Sequence, residues 1–218
     1  MRAGKARWRS GQRLDVYRGA ACDKKTSVNY STSPPIGNVR DILRLGLRSH
    51  HLMRGEQHQS VADEEVQAIR ARKDVPGGRP LHDYVNLYLC ARNPMMYKLH
   101  KDHADLCVLR VSRKVLGLQG VVITDGNAAS AYVSFWPSPT GLSHIDVEFV
   151  FAERWTDDDQ FIYWRKKKAK CAEVLVPDRV DPSFVDGAYV SGPEGRNKLI
   201  LTDFGPPVTV DAHLFFAD

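Results

Sequence analysis

Arg165-Lys166-Lys167-Lys168-Ala169-Lys170-Cys171-Ala172-Glu173-Val174-Leu175-Val176-Pro177 sets a run of cations directly ahead of a short apolar segment that opens on a single carboxylate. Strand side chains alternate between faces, so an extended segment puts Glu173 on the side of Leu175 and Ala172, Val174 and Val176 on the other. The segment before Glu173 reads as a loop or short helix, and Pro177 ends the strand. Two readings of the carboxylate follow. It caps a sheet and pairs with a nearby lysine, or it stands at a cleft mouth and stabilises a developing positive charge while the basic run holds a polyanion.

The chain has 218 residues, 43% of them hydrophobic, enough for one substantial core and too few for two comfortable ones. A formal charge of +5 suits a nucleic-acid or nucleotide partner without demanding one. The cations concentrate in two places, Arg2 to Lys25 and Arg165 to Lys170. Cys22, Cys90, Cys107 and Cys171 lie too far apart for a disulfide framework or zinc knuckle, which fits a reducing cytoplasm. His100, His103 and Cys107 have helical metal-ligand spacing but lack a fourth partner, so no metal is expected. No apolar stretch approaches membrane-spanning length, and the basic N-terminus lacks the apolar core of a secretion signal.

Residues 1–27 read as a basic, flexible extension, and residues 28–218 as one domain. Asn29 to Thr32 is a predicted strand, followed by a helix with Asn38 as cap and Gly46 near its end. A second helix spans Asp63 to Lys73, with Val66 and Ile69 facing the core and Glu64, Gln67, Arg70 and Arg72 around them. Leu81 to Leu89 is a predicted strand pair or strand plus turn, Leu106 to Val111, Gly120 to Thr124 and His144 to Phe151 are predicted strands, and Ala128 to Phe135 a short helix after the turn Asp125-Gly126-Asn127. Gly187 to Val190, Lys198 to Leu201 and Val208 to Phe216 are further strands or loops. His82 next to Asp83 invites a catalytic dyad, but consecutive strand residues face apart, so a structural hydrogen bond is the expectation for His82. The irregular mixture of helices and strands gives an α+β domain.

Five segments then stand out together: Asn38-Val39, Ile42-Leu43 and Gly46-Leu47; Leu81-His82-Asp83-Tyr84-Val85; Asn93-Pro94-Met95-Met96-Tyr97; Thr124-Asp125-Gly126-Asn127-Ala128-Ala129-Ser130; and Lys168 to Pro177. In this order, over roughly residues 29 to 190, they resemble the DarT family of DNA ADP-ribosyltransferase toxins. The resemblance implies an ADP-ribosyltransferase-like fold with central split β-sheets flanked by helices. It also implies an enzyme that cleaves NAD and transfers ADP-ribose to a base, thymine above all, of single-stranded DNA. A macrodomain antitoxin of the DarG type is the implied partner, and NAD is the donor substrate, with no metal.

By the resemblance Glu173 is the catalytic carboxylate and Arg70 the functional arginine, with Arg72 its rival. Tyr30, Ser31, Thr32, Asp41 and Arg70 are the implied NAD-binding residues. Family members carry a Tyr-His-x-Thr-His-like segment where this chain reads Tyr30-Ser31-Thr32-Ser33-Pro34-Pro35-Ile36-Gly37, so the histidine is missing and the Ser31 and Thr32 hydroxyls take its place as hydrogen-bonding groups. A base is nucleophilic only when unpaired and unstacked, which calls for a single-strand groove. Arg165, Lys166, Lys167 and Lys168 are the expected phosphate contacts, and Tyr132 with Phe135 or Trp164 the stacking surfaces. A nucleic-acid-binding relative without catalysis, and a transferase acting on another base or on RNA, are the alternatives.

Overall fold

The computed structural model describes residues 30–217. The predicted N-terminal extension, its cations and Cys22 lie outside the described residues. Among the described residues there are ten strands: β1 (Tyr30–Thr32), β2 (Leu47–Arg48), β3 (Tyr84–Tyr88), β4 (Val108–Val111), β5 (Val122–Thr124), β6 (Phe135–Pro137), β7 (Glu173–Pro177), β8 (Arg179–Val180), β9 (Val185–Val190) and β10 (Val208–Val210). Among them run α1 (Val39–Leu45), α2 (Glu64–Arg70), α3 (Pro94–Lys98), α4 (Val147–Val150), α5 (Gln160–Ala169) and α6 (Pro193–Ile200), with several 3-10 turns.

Eight strands form one sheet in the order β10-β9-β4-β1-β3-β7-β5-β6, and β2 pairs with β8. All neighbours in the large sheet are antiparallel except β9 and β10. The sheet narrows to a waist where β1 meets β3, with Ser31↔Tyr88 as the registered pair, and widens again where β3 runs beside β7 over five pairs from Tyr84↔Pro177 to Tyr88↔Glu173. The expected split takes this form: two broad halves joined by a narrow strand junction. The α+β reading holds.

The alternation predicted for the strand after Glu173 is visible in its packing. Ala172, Val174 and Val176 join Val85 and Leu87 in the main core, while Leu175 packs on the opposite face with Tyr84, Val75, Leu81 and Ala128. Burying a side chain of this size stabilises the fold by about 1.5–3 kcal/mol, so register here is strongly fixed.

Several local expectations are corrected. Ala128 to Phe135 is not a helix: Asn127 Oδ1 accepts from the Ala129 N–H at 2.9 Å and Ser130 Oγ from the Tyr132 N–H at 3.3 Å. These side chains compete with helical hydrogen bonds, and Phe135 enters β6 instead. His144 to Phe151 is helical in its second half because Asp146 Oδ1 caps α4 through the Phe149 N–H at 3.1 Å. Lys198 to Leu201 closes α6, which starts on Pro193 and carries a Glu194–Lys198 pair at 2.7 Å. Of the two forms expected for Leu81 to Leu89, strand plus turn is the one found: Leu81–Asp83 is a 3-10 turn before β3. Of the loop or short helix expected ahead of Glu173, the helix is found: α5, capped by Asp159 Oδ1 accepting from the N–H groups of Phe161 at 2.7 Å and Ile162 at 3.2 Å.

The correction that matters most for the site concerns α2. Ile69 is 50% exposed and Arg70 only 4%. The helix turns its arginine inward, against the apolar pattern, because a buried carboxylate waits there.

Candidate functional site

Glu173 opens β7 with no solvent exposure, and Arg70 Nη1 reaches its Oε2 at 3.2 Å and Oε1 at 3.4 Å. The Ala128 N–H also donates to this carboxylate. Thr124, at the end of β5, accepts from the Glu173 N–H at 3.2 Å and donates its own hydroxyl proton to the Gly126 carbonyl at 2.7 Å. Thus β5, β7 and the turn after β5 fix the acid's backbone before its side chain meets the arginine. Gly126 is required there: a Cβ at this position would stand 2.8 Å from the Lys168 side chain.

Burial raises the Glu173 pKa above its ordinary value, and the charge and hydrogen bonding of Arg70 oppose that rise. The ionised acid therefore depends on the arginine. Tyr88, registered with Glu173 across β3/β7, has its phenol pKa pushed up by burial and by the carboxylate, and its hydroxyl contacts Met95 Sδ at 3.1 Å. Burial likewise pushes the Cys171 thiol up to about 12.

Arg70 also lines a cavity of about 230 Å³. Its Nη2 is buried without a hydrogen-bond partner among the described residues, a state that costs roughly 1–3 kcal/mol for a polar group. The guanidinium therefore stands between hollow and carboxylate, with one fork bonded and one available. Thr32, Asp41, Gln67, His50 and His82 also line the cavity. The two imidazole rings are 4.1 Å apart, and His82 Nε2 meets Gln67 Oε1 at 3.1 Å. Burial lowers the pKa of both histidines, and Arg70 adds to it.

An outer wall comes from residues 53–62, which the sequence reading passed over. Two latches hold it. Arg48 donates to both Glu56 oxygens, at 2.6 and 2.5 Å, and Asn38 exchanges two hydrogen bonds with the Gln59 backbone, at 2.7 and 3.1 Å. Asn38 precedes α1 without capping it, because its amide is committed to Gln59. The available signal was compositional: His50, His51 and His58 crowd one short polar stretch.

The sequence and fold have counterparts among known proteins. A family model described as "ssDNA thymidine ADP-ribosyltransferase, DarT" matches residues 35–216. The chain belongs to the DarT family. A DNA ADP-ribosyl transferase of Thermus aquaticus is 32% identical over 192 residues, covering 80% of this chain and 83% of that protein. A fusion of DNA ADP-ribosyl transferase and DNA ADP-ribosyl glycohydrolase from Thermosipho africanus is 30% identical over 190 residues, covering 83% of this chain but 47% of the fusion, so the chain spans about half of that relative's length.

Among solved structures, Thermosipho africanus DarTG in complex with ADP-ribose aligns with a TM-score of 0.76 at 28% identity, covering 86% of this chain and 51% of that one. Thermus sp. 2.9 DarT in complex with ADP-ribosylated ssDNA aligns with a TM-score of 0.76 at 23% identity, over 86% and 96% of the two chains, and so shares the fold.

Within this DarT fold the predicted residues separate into groups. Arg70 and Glu173 meet, whereas Arg72 is exposed. Thr32, Asp41 and Arg70 line the cavity; Tyr30 and Ser31 do not, and Glu173 lies behind Arg70 rather than in the cavity wall. Tyr30 is packed in the main core, and Ser31 Oγ donates to the Tyr88 carbonyl at 3.3 Å, so that hydroxyl is spent on the sheet waist. Asp41 carries an ion pair with Arg44 at 3.1 Å.

The basic run is less bare than its sequence. Lys166 pairs with Asp157 at 2.7 Å, Lys168 with Asp125 at 2.8 Å and Arg165 with Asp146 at 3.6 Å. Lys167 instead donates to the Tyr163 hydroxyl at 3.2 Å. Tyr132 is 86% exposed and Trp164 is exposed, as stacking surfaces need, while Phe135 packs against the core. His82 has the hydrogen-bonding role expected of it, and Asp83 faces Arg79 and His51 instead. His100 and His103 bond the Tyr97 carbonyl and Ser191, and among the described residues no metal-ligating group of His, Cys, Asp or Glu gathers.

Proposed function

We propose that this chain cleaves NAD at the nicotinamide–ribose bond and transfers ADP-ribose to a thymine base of single-stranded DNA. The observation that carries the reading is Arg70, which lines the cavity, leaves Nη2 for a ligand and holds the buried Glu173 carboxylate behind it. Family membership supports the same chemistry. Departure of nicotinamide leaves oxocarbenium character on the ribose, and an ionised carboxylate held in a water-poor site stabilises that charge more in the transition state than in the ground state. Glu173 supplies this carboxylate. Arg70 keeps it ionised and offers its second fork to a phosphate or ribose oxygen.

Thr32 and Asp41 hold the nucleotide by hydroxyl hydrogen bonds, and Tyr30 and Ser31 act indirectly by fixing the strand that carries Thr32. The cavity falls below the roughly 300–1,000 Å³ of a drug-sized site, so it takes one nucleoside end while the remainder of NAD lies across its mouth. No group in this account requires a metal. Tyr132 stacks on a base of the strand, and Arg165, Lys166, Lys167 and Lys168 track its phosphates, Lys167 most directly because no carboxylate among the described residues holds it.

A macrodomain antitoxin of the DarG type, which removes the modification, is the proposed partner; the fused glycohydrolase of the Thermosipho relative supports it. The proposed compartment is the cytoplasm, where DNA and NAD are both at hand; no helix among the described residues is long and apolar enough to cross a membrane. The domain is proposed to span 28–218, with the basic residues 1–27 ahead of it. The test is the mass of homopolymeric oligonucleotides after incubation with NAD. One ADP-ribose added to oligo-dT supports the reading, and unmodified DNA at high enzyme concentration overturns it.

A further inference from the structure

Arg70 has two different sides. Toward the cavity stand Gln67, His50 and His82. One helical turn beyond Arg70 stands Lys73, which is not a cavity residue. Its Nζ donates to the Ser130 carbonyl at 2.5 Å and lies 5.3 Å from the centre of the Phe135 ring. Ser130 belongs to the 125–134 loop, whose Ala128 N–H meets the Glu173 carboxylate and whose Tyr132 is open to solvent. One side chain thus ties the end of α2 to a loop that touches the acid at one point and presents an aromatic ring at another.

The rest of the loop is fastened from the far side. Lys168 pairs with Asp125, and Asp125 Oδ1 accepts from the Ser134 N–H at 3.0 Å. Lys73 is the tether on the Arg70 side. Burial and the neighbouring Arg70 both lower its pKa, while Glu173 opposes them, so a cation is kept here against an electrostatic cost. The carbonyl and the aromatic face offset that cost. A hydrophobic side chain would close the same gap without the cost, so the geometry points to a directional role.

We propose that Lys73 is a positioning residue for the acceptor: it holds the 125–134 loop so that a base, rather than water, meets the ribose carbon at Glu173. It thereby sets how NAD divides between transfer and hydrolysis. The inference rests on the ADP-ribosyl transfer proposed above. In both outcomes the ribose–nicotinamide bond breaks and its electron pair returns to the nicotinamide ring. In transfer a ring nitrogen of the base forms the new bond and gives its proton to solvent; in hydrolysis a water oxygen does so.

The experiment compares wild type, Lys73→Met and Lys73→Arg with NAD and oligo-dT, reading total nicotinamide release and ADP-ribosylated oligonucleotide together. Lys73→Met should lower the transfer-to-hydrolysis ratio about tenfold or more and raise KM for the oligonucleotide, with KM for NAD moving less than about twofold. Lys73→Arg, which keeps a cationic donor, should hold the ratio within about threefold of wild type. If Lys73→Met loses its cooperative melting transition, Lys73→Gln carries the same expectation of a lowered ratio. An unshifted ratio in the neutral variant, or a parallel fall of transfer and hydrolysis, overturns the proposal. Wild-type protein that releases no nicotinamide defeats the parent reading and this one with it; wild-type transfer with an unshifted variant ratio defeats this one alone.

Discussion

Arg70 and Arg165 of α5 are the same kind of charge in opposite surroundings. The Arg70–Glu173 side chains are 5% and 0% exposed, whereas those of Arg165 and Asp146 are 64% and 43% exposed. Water screens the second pair until it contributes little, but the first keeps most of its field and most of its desolvation cost. The run that looks most charged in the sequence is therefore the less consequential of the two, and a single arginine hidden on a short helix governs the acid.

The largest test of that contrast is Glu173→Gln, which preserves shape and removes charge. Transfer to oligo-dT, followed by mass, should fall about 1,000-fold, while calorimetry should still detect NAD binding. Retained transfer would place the chemistry elsewhere. Next comes Arg70→Ala, which strands a carboxylate in the core. Urea unfolding should show a loss of about 3–5 kcal/mol, and NAD binding should weaken as well. Neither effect is expected at any single cation of α5.

The pH dependence sharpens the same comparison. Burial raises the Glu173 pKa above the ordinary 4.5, Arg70 acting against it. The folded state then binds the proton more tightly than the unfolded chain, so the stability from this group is full below the unfolded pKa and is lost as pH rises through the folded value. Activity runs the other way. A rate profile should show an ascending limb with its midpoint above 4.5, moving higher still in Arg70→Gln; a limb at or below 4.5 would mean that Arg70 outweighs burial.

What the sequence disclosed follows the range of the forces involved. The strand at Glu173 was legible because alternation is local and both faces are apolar: Leu175 falls on one side, Val174 and Val176 on the other. The inward turn of Arg70 was not, since α2 reads as a surface helix with Val66 and Ile69 inward until a carboxylate 103 positions away is placed beside it. The segment 128–134 failed as a helix through Asn127 and Ser130, whose side chains reach the backbone only two residues on. The cavity's outer wall was invisible because two latches, Arg48–Glu56 and Asn38–Gln59, order a stretch without apolar period. The missing histidine pointed to Ser31 as its replacement, yet the Ser31 hydroxyl serves the sheet waist.

The smallest effects divide α5 internally. Lys167 bonds Tyr163 and no carboxylate among the described residues, so it is the cation freest to exchange its partner for a phosphate. Lys167→Gln should weaken single-strand binding severalfold at low salt and reduce the slope of log K against log salt by about 0.7, the contribution of one released counterion. Arg165→Gln removes a cation that already faces Asp146 at 3.6 Å and lies 4.9 Å from the Phe149 ring. A phosphate can recruit it only by breaking those contacts, so its share of the salt slope should be smaller, and the melting temperature should stay within about 2 °C because an exposed pair is worth little. Equal slopes for the two variants would show that the helix presents its cations as one undifferentiated field. Unequal slopes, with Lys167 the larger, would show that the acidic partners in the fold have already chosen which charges remain for the nucleic acid.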